Sequence, residues 1–201
     1  MLGLPKSTEL HRPLPKKTIY EKFQLNTAAK EKIDADISRL TIVNEISSAR
    51  VNIAEGEKVK VIYLIHASLK RKDFDAKVFT TLSKLIGQNI VFVAEYNQEA
   101  CLVLFHTRLM QTPWSNMYDI SLPLSGLNLD LAWENIVKHV GQIQIVGENT
   151  LEEQIELDEK RAKLEKEIAR LEKQAWREKQ PRKKFELVER INRLKKGAET
   201  L

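Results

Sequence analysis

The chain has 201 residues, 42% of them hydrophobic and 30% charged, with a net charge of +5, a pI of about 9.2 and a single cysteine. That leaves room for one ordinary domain with an appendage, and it is short for two full domains. One thiol excludes an internal disulfide, no apolar run approaches the ~20 residues of a membrane span, and the opening residues lack the apolar stretch that drives secretion, so the expected compartment is the cytoplasm.

Residues 1–25 carry Pro5, Pro13 and Pro15, which stop regular structure from propagating, and Lys6, Arg12, Lys16 and Lys17 outweigh Glu9. They are read as an irregular basic arm. Asn26 suits the cap of a helix from Thr27, with Ala28, Ala29, Ile33, Ala35 and Ile37 on its apolar side. The β-branched run Arg39 to Ile46 predicts a strand. After a polar connection around Asn52 and Gly56, Lys58 to His66 alternates and then turns continuously apolar, which predicts a second strand with one end buried on both faces.

Asp73 is the expected cap of a helix with Val78, Phe79, Leu82, Leu85 and Ile86 on one side, ended by Gly87. Asn89 to Ala94 and Ala100 to Phe105 form two strong apolar strands joined by Glu95 to Glu99. Cys101 lies inside the second and reads as a small buried hydrophobe. Residues 107–128 are less regular, with a short strand expected at Met117 to Leu122. Leu131, Trp133, Ile136, Val137 and Val140 then mark a helix over Leu129 to Ile143.

From Leu151 the composition changes to Glu, Lys, Arg and Leu. Leu157, Leu164 and Leu171 stand seven apart, and Ile168 and Ala175 fill alternate positions of a heptad stripe that is broken by Gln154 and Arg161. Pro181 interrupts the pattern, and a second stripe follows at Leu187, Ile191, Leu194, Ala198 and Leu201. Proline inside a helix costs ~3 kcal/mol, whereas at the first turn of a new helix it costs little. Two helices folding back at Gln180-Pro181 are predicted, with a kinked continuous helix as the alternative. Neither stripe stabilises a lone helix, so the residues expected to bind a partner are Leu164, Ile168, Leu171, Leu187, Ile191 and Leu194.

Charge concentrates at the break. Lys173, Arg177, Lys179, Arg182, Lys183 and Lys184 stand against Glu178 alone, with Trp176 among them. Such a tip can track a phosphate backbone and stack on a base; equally, lysine stems can cover a partly buried tryptophan in a solvated loop.

Motifs for catalysis are missing. The seven glycines are scattered and form no phosphate-cradling loop, and there is no paired-cysteine motif. His66 and His106 end predicted strands and could be neighbours, but no histidine shows ligand spacing, so neither a metal nor another cofactor is expected. A metal-dependent nuclease would need acids and a lysine at adjacent strand ends. Asp73 and Glu95 are acids near element ends, and Glu45 is an acid in an apolar strand whose simpler explanation is pairing with Arg39 or Lys60.

The segments GLPKST, LPKKTIYEKF, IVNEIS, VNIAEGEKV, IVFV, LSGLNLD and EKQPRKKFELVERINRLKK resemble a family of bacterial proteins classed as a domain of unknown function, number forty-three ninety-one. The resemblance covers nearly the whole chain and carries no catalytic motif. It implies a setting among DNA helicases and DNA methyltransferases of restriction or phage-defence gene clusters, and no residue role comes with it.

The expected fold is therefore α+β. A mixed or antiparallel sheet flanked by helices, with its arm, fills residues 1–146, and an antiparallel helical hairpin, a short coiled coil, fills 147–201. The leading expectation for function is an accessory, non-catalytic subunit of a DNA restriction-modification or phage-defence complex, with a helicase or methyltransferase as partner. The alternatives are direct DNA or RNA binding through the tip, and an unrecognised metal-dependent nuclease.

Overall fold

The computed structural model describes residues 2–199. The chain divides into two compact units, residues 1–143 and 144–201.

The first unit is built on one mixed sheet. Its strands are β1 (Glu9–Pro13), β2 (Ile37–Ser47), β3 (Val61–Leu69), β4 (Asn89–Tyr96), β5 (Glu99–Phe105), β6 (Leu109–Gln111) and β7 (Ser115–Asn116), accompanied by the helices α1 (Lys16–Lys22), α2 (Thr27–Asp36), α3 (Lys77–Ile86) and α4 (Leu129–Gly141). The first six strands lie side by side in chain order, and β7 pairs with β5. Only β3 and β4 are parallel, because a parallel pair needs a crossover and α3 supplies it.

The central apolar runs form strands as their composition dictates: Ile90 to Ala94 and Ala100 to Leu104 are buried without interruption, hence covered on both faces. On one face Phe92, Ala94, Cys101 and Val103 join Phe79 and Leu82 of α3 and Ile33 of α2 in a single core. Phe79 packs on Phe92 at a tilt, with ring centroids 4.9 Å apart. Ala100, Leu102 and Leu104 alternate to the other face, where α4 packs on β5 and β6. The β4–β5 turn is tighter than expected. Asn97 and Gln98 both take positive φ, the two-residue turn whose twist matches the strands, so β4 continues to Tyr96 and β5 starts at Glu99.

Several expectations are corrected. The N-terminal stretch is not an irregular arm: it holds β1 and α1. Pro13 ends an edge strand, where a missing N–H is harmless, and Pro15 stands just ahead of α1 with its fixed φ already suited to entering a helix. Lys16 then pairs with Asp34 and donates to the Ile37 carbonyl at 2.8 Å, while the Tyr20 hydroxyl donates to Asp34 at 2.9 Å. Lys16 and Tyr20 hold the Asp34 carboxyl below its usual range.

Asp73 caps nothing. α3 begins at Lys77 without a side-chain cap at Ala76, and the buried Asp36 organises the preceding loop by accepting from Arg71 at 2.6 Å and from the Asp75 N–H at 2.9 Å. Met117 to Leu122 is not a strand, because Asn116 turns the chain, accepting from the N–H groups of Tyr118 and Asp119.

β3 starts three residues later than predicted, for a specific reason. The Asp130 carboxylate, in the first turn of α4, accepts from the N–H groups of Glu57 at 2.7 Å, Lys58 at 3.1 Å and Val59 at 2.7 Å. A Cβ at Gly56 would run into that carboxylate, so glycine is required there. The three N–H bonds hold the Asp130 carboxyl below the usual range. A depressed folded-state pKa gives stability that is present above the ordinary carboxylate pKa and is lost as pH falls through the folded value. Asp130→Asn is therefore expected to melt below wild type at neutral pH, with the gap closing below about pH 4. Thermal melts of both proteins across that range check it.

Candidate nucleic-acid interface

The second unit consists of α5 (Leu151–Arg177) and α6 (Pro181–Glu199). A capping box opens α5: the Thr150 hydroxyl accepts from the Glu153 N–H at 3.3 Å, and the Glu153 carboxylate accepts from the Thr150 N–H at 2.8 Å. The Thr150 N–H and hydroxyl hold the Glu153 carboxyl below its usual range. The helix stops at Glu178, whose backbone is extended and whose carboxylate accepts from the Gln180 N–H at 2.9 Å. Pro181 is the first residue of α6, a place where its missing N–H costs nothing. The kinked continuous helix is thereby excluded, and the chain folds back as a hairpin.

The apolar stripes meet inside it. Leu171, Ala175 and Ile191 are buried together, with Ile168, Leu187 and Leu194 packed around them. Five of the six side chains expected to face a partner are thus engaged within the hairpin. The sixth, Leu164, is half-buried and lies outside that cluster. Leu201 and the side chain of Ala198 fall outside the described residues. Ion pairs cross the seam: Glu167 takes Arg190 at 3.3 Å as well as Arg170 on its own helix at 2.7 Å, and Glu172 takes Lys195 at 2.8 Å. The Arg170 hydrogen bonds hold the Glu167 carboxyl low and raise the Arg170 guanidinium in turn.

The basic residues gather at the break. Lys173, Trp176 and Arg177 occupy the last turns of α5, Lys179 the connection, and Arg182, Lys183 and Lys184 the first turn of α6. All seven are exposed. Among the described residues only Arg182 of these six cations has a carboxylate partner, Glu186 at 3.6 Å on the open surface. Among the described residues the other five have no carboxylate within ion-pair distance. Trp176 is 84% exposed, so the alternative reading of a tryptophan covered by lysine stems does not describe this tip. Together with Ala169, Glu172, Lys173 and Arg177 it lines a shallow depression of about 500 Å³.

Sequence reasoning missed two neighbours. Phe185 is 64% exposed and Val188 40% exposed on α6. Their mismatch with the 187–191–194 stripe was a readable signal that they point away from the seam.

In the first unit, Glu45, His66, Glu95, His106 and Cys101, considered for catalysis, are engaged structurally. Glu45 accepts from Arg50 at 3.0 Å, not from Arg39 or Lys60. His66 pairs with Glu95 at 3.1 Å, and His106 receives the Trp133 indole N–H at 3.4 Å. Cys101 is buried, and that burial pushes its thiol up to about 12. Among the described residues no three His, Cys, Asp or Glu side chains converge on a metal-sized site, and no helix is long and apolar enough to cross a membrane.

The sequence matches, over residues 2–197, the family described as Domain of unknown function (DUF4391). The chain belongs to that family. No curated protein and no solved structure matches it. The hairpin described above, from α5 to Gly197, therefore lies almost wholly inside the stretch that defines a DUF4391 protein.

The seam is the contact that shapes the tip in this DUF4391 chain. Leu171→Ala is expected to cost the hairpin about 2–5 kcal/mol. Hydrogen exchange should accelerate through residues 164–196 while β4 and β5 keep their protection, and far-UV circular dichroism should show the lost helix.

Proposed function

We propose that this DUF4391 protein is an accessory, non-catalytic binding component of a bacterial DNA restriction-modification or phage-defence system, and that its hairpin tip contacts nucleic acid. The observation that carries the proposal is the cluster of Lys173, Arg177, Lys179, Lys183 and Lys184, without carboxylate partners, around an exposed Trp176. Cations already paired on the protein have little to gain from a phosphate; unpaired ones exchange condensed counterions for the backbone directly. The setting in DNA modification or defence rests on the family resemblance alone.

Replacing Arg182, Lys183 and Lys184 together with alanine is expected to weaken oligonucleotide binding and to reduce the slope of log affinity against log salt by about 2 to 3. Fluorescence anisotropy over a salt series measures both. Wild-type protein that binds no oligonucleotide at low salt would overturn the proposal.

A second reading has its own support. Phe185 and Val188 leave apolar surface on α6 outside the seam, which suits a protein partner such as a DNA helicase or methyltransferase. Co-expression with genes encoded beside it, followed by purification on a tag, should retain a partner with wild type and lose it with Phe185→Ser and Val188→Ser combined. Recovery of equal partner by the double variant counts against this reading.

A further inference from the structure

We propose that the hairpin tip selects single-stranded over double-stranded nucleic acid, with the Trp176 indole as the platform on which one unpaired base stacks. This rests on the reading of the tip as a nucleic-acid contact and narrows its ligand to one class.

Charge alone does not distinguish a single strand from a duplex, since both present phosphates. A bare aromatic face does. In a duplex each base has both faces covered by its neighbours, whereas an unpaired base offers a face to an indole regardless of its identity. Trp176 is the most exposed aromatic of the hairpin, and its surroundings fit that task. Ala169 lines the same depression and leaves it open because its side chain is a single methyl. Lys173 and Arg177 flank the indole along α5, four residues and so about 6 Å apart along the helix axis. They can hold the phosphates on either side of a base seated on the indole. Glu172, the acid of this depression, is held by Lys195 at 2.8 Å, which offsets its repulsion of a phosphate.

An acidic peptide would meet the same cations, but it has no flat group for the indole. A helix-docking protein would use an apolar stripe, and the stripe residues nearest the tip, Ile168, Leu171, Ala175, Leu187, Ile191 and Leu194, are engaged with one another in the seam.

The test uses the full chain and a fluorescein-labelled twelve-residue thymidine oligonucleotide, its duplex with the complementary strand, and poly-glutamate, in low-salt buffer. Wild type is expected to bind the single strand at least tenfold more tightly than the duplex, with quenching of tryptophan emission. Trp176→Ala should lower single-strand affinity roughly tenfold or more and leave duplex affinity unchanged, while Trp176→Phe keeps most of it. Because Trp176 lies open to solvent, circular dichroism of these variants should match wild type. Equal affinity for the two forms, or single-strand binding indifferent to Trp176→Ala, overturns the single-strand assignment and leaves the charge-based reading standing. Poly-glutamate binding as tight as the oligonucleotide, and unaffected by Trp176→Ala, overturns it in favour of an acidic protein ligand. Binding of neither nucleic acid overturns the reading beneath it as well.

Discussion

Burial of Leu171, Ala175 and Ile191 against each other is the contact from which the character of the C-terminal unit follows. Two charged helices of this composition have little intrinsic reason to persist alone, and the seam gives each a surface to cover. Once the apolar stripes are used this way, most of what is left facing water is charged or polar, with a few misplaced apolar side chains. The Glu–Lys and Glu–Arg pairs lie along the body of the hairpin, so the surplus of positive charge is displaced to the turn. A mild net charge over 201 residues thus becomes a concentrated one over twelve.

The first unit obeys a different constraint. Its two central strands are covered on both faces. α3 supplies the crossover that a parallel pair requires and sets Phe79 into the core on one side, and α4 occupies the other. Carboxylates tie down the connections: Asp36 gathers the loop before α3, Asp130 the loop before β3, and Asp34 the start of α1. The charged groups of this unit are largely committed to backbone and neighbouring cations, in contrast to the tip of the hairpin.

Much of the fold was legible in the sequence, for identifiable reasons. β4 and β5 announce themselves by continuous apolar runs, α3 by its apolar face and by Gly87 in the left-handed conformation at its end, and the hairpin by two stripes separated by a proline. The missing pieces depend on partners distant in the chain. β1 and α1 were hidden behind three prolines, because edge position and helix entry make those prolines harmless only after β2 and Asp34 are in place. The start of β3 could not be placed without Asp130, which holds Val59 from 71 residues away. At the tip, the cations and Trp176 were readable as a cluster. That five of the six cations find no carboxylate partner among the described residues was not, because it depends on which carboxylates the hairpin's register brings near.

The one cysteine sits at the centre of the sheet, fully enclosed, with the Gln111 amide 3.4 Å from its sulfur. A thiol held there is protonated at neutral pH and sheltered from electrophiles. It can react only in molecules whose sheet has opened, and the hairpin carries no sulfhydryl to confuse the signal. Alkylation rates would therefore register disruption of the first unit alone, giving the protein an internal gauge of which of its halves has come apart.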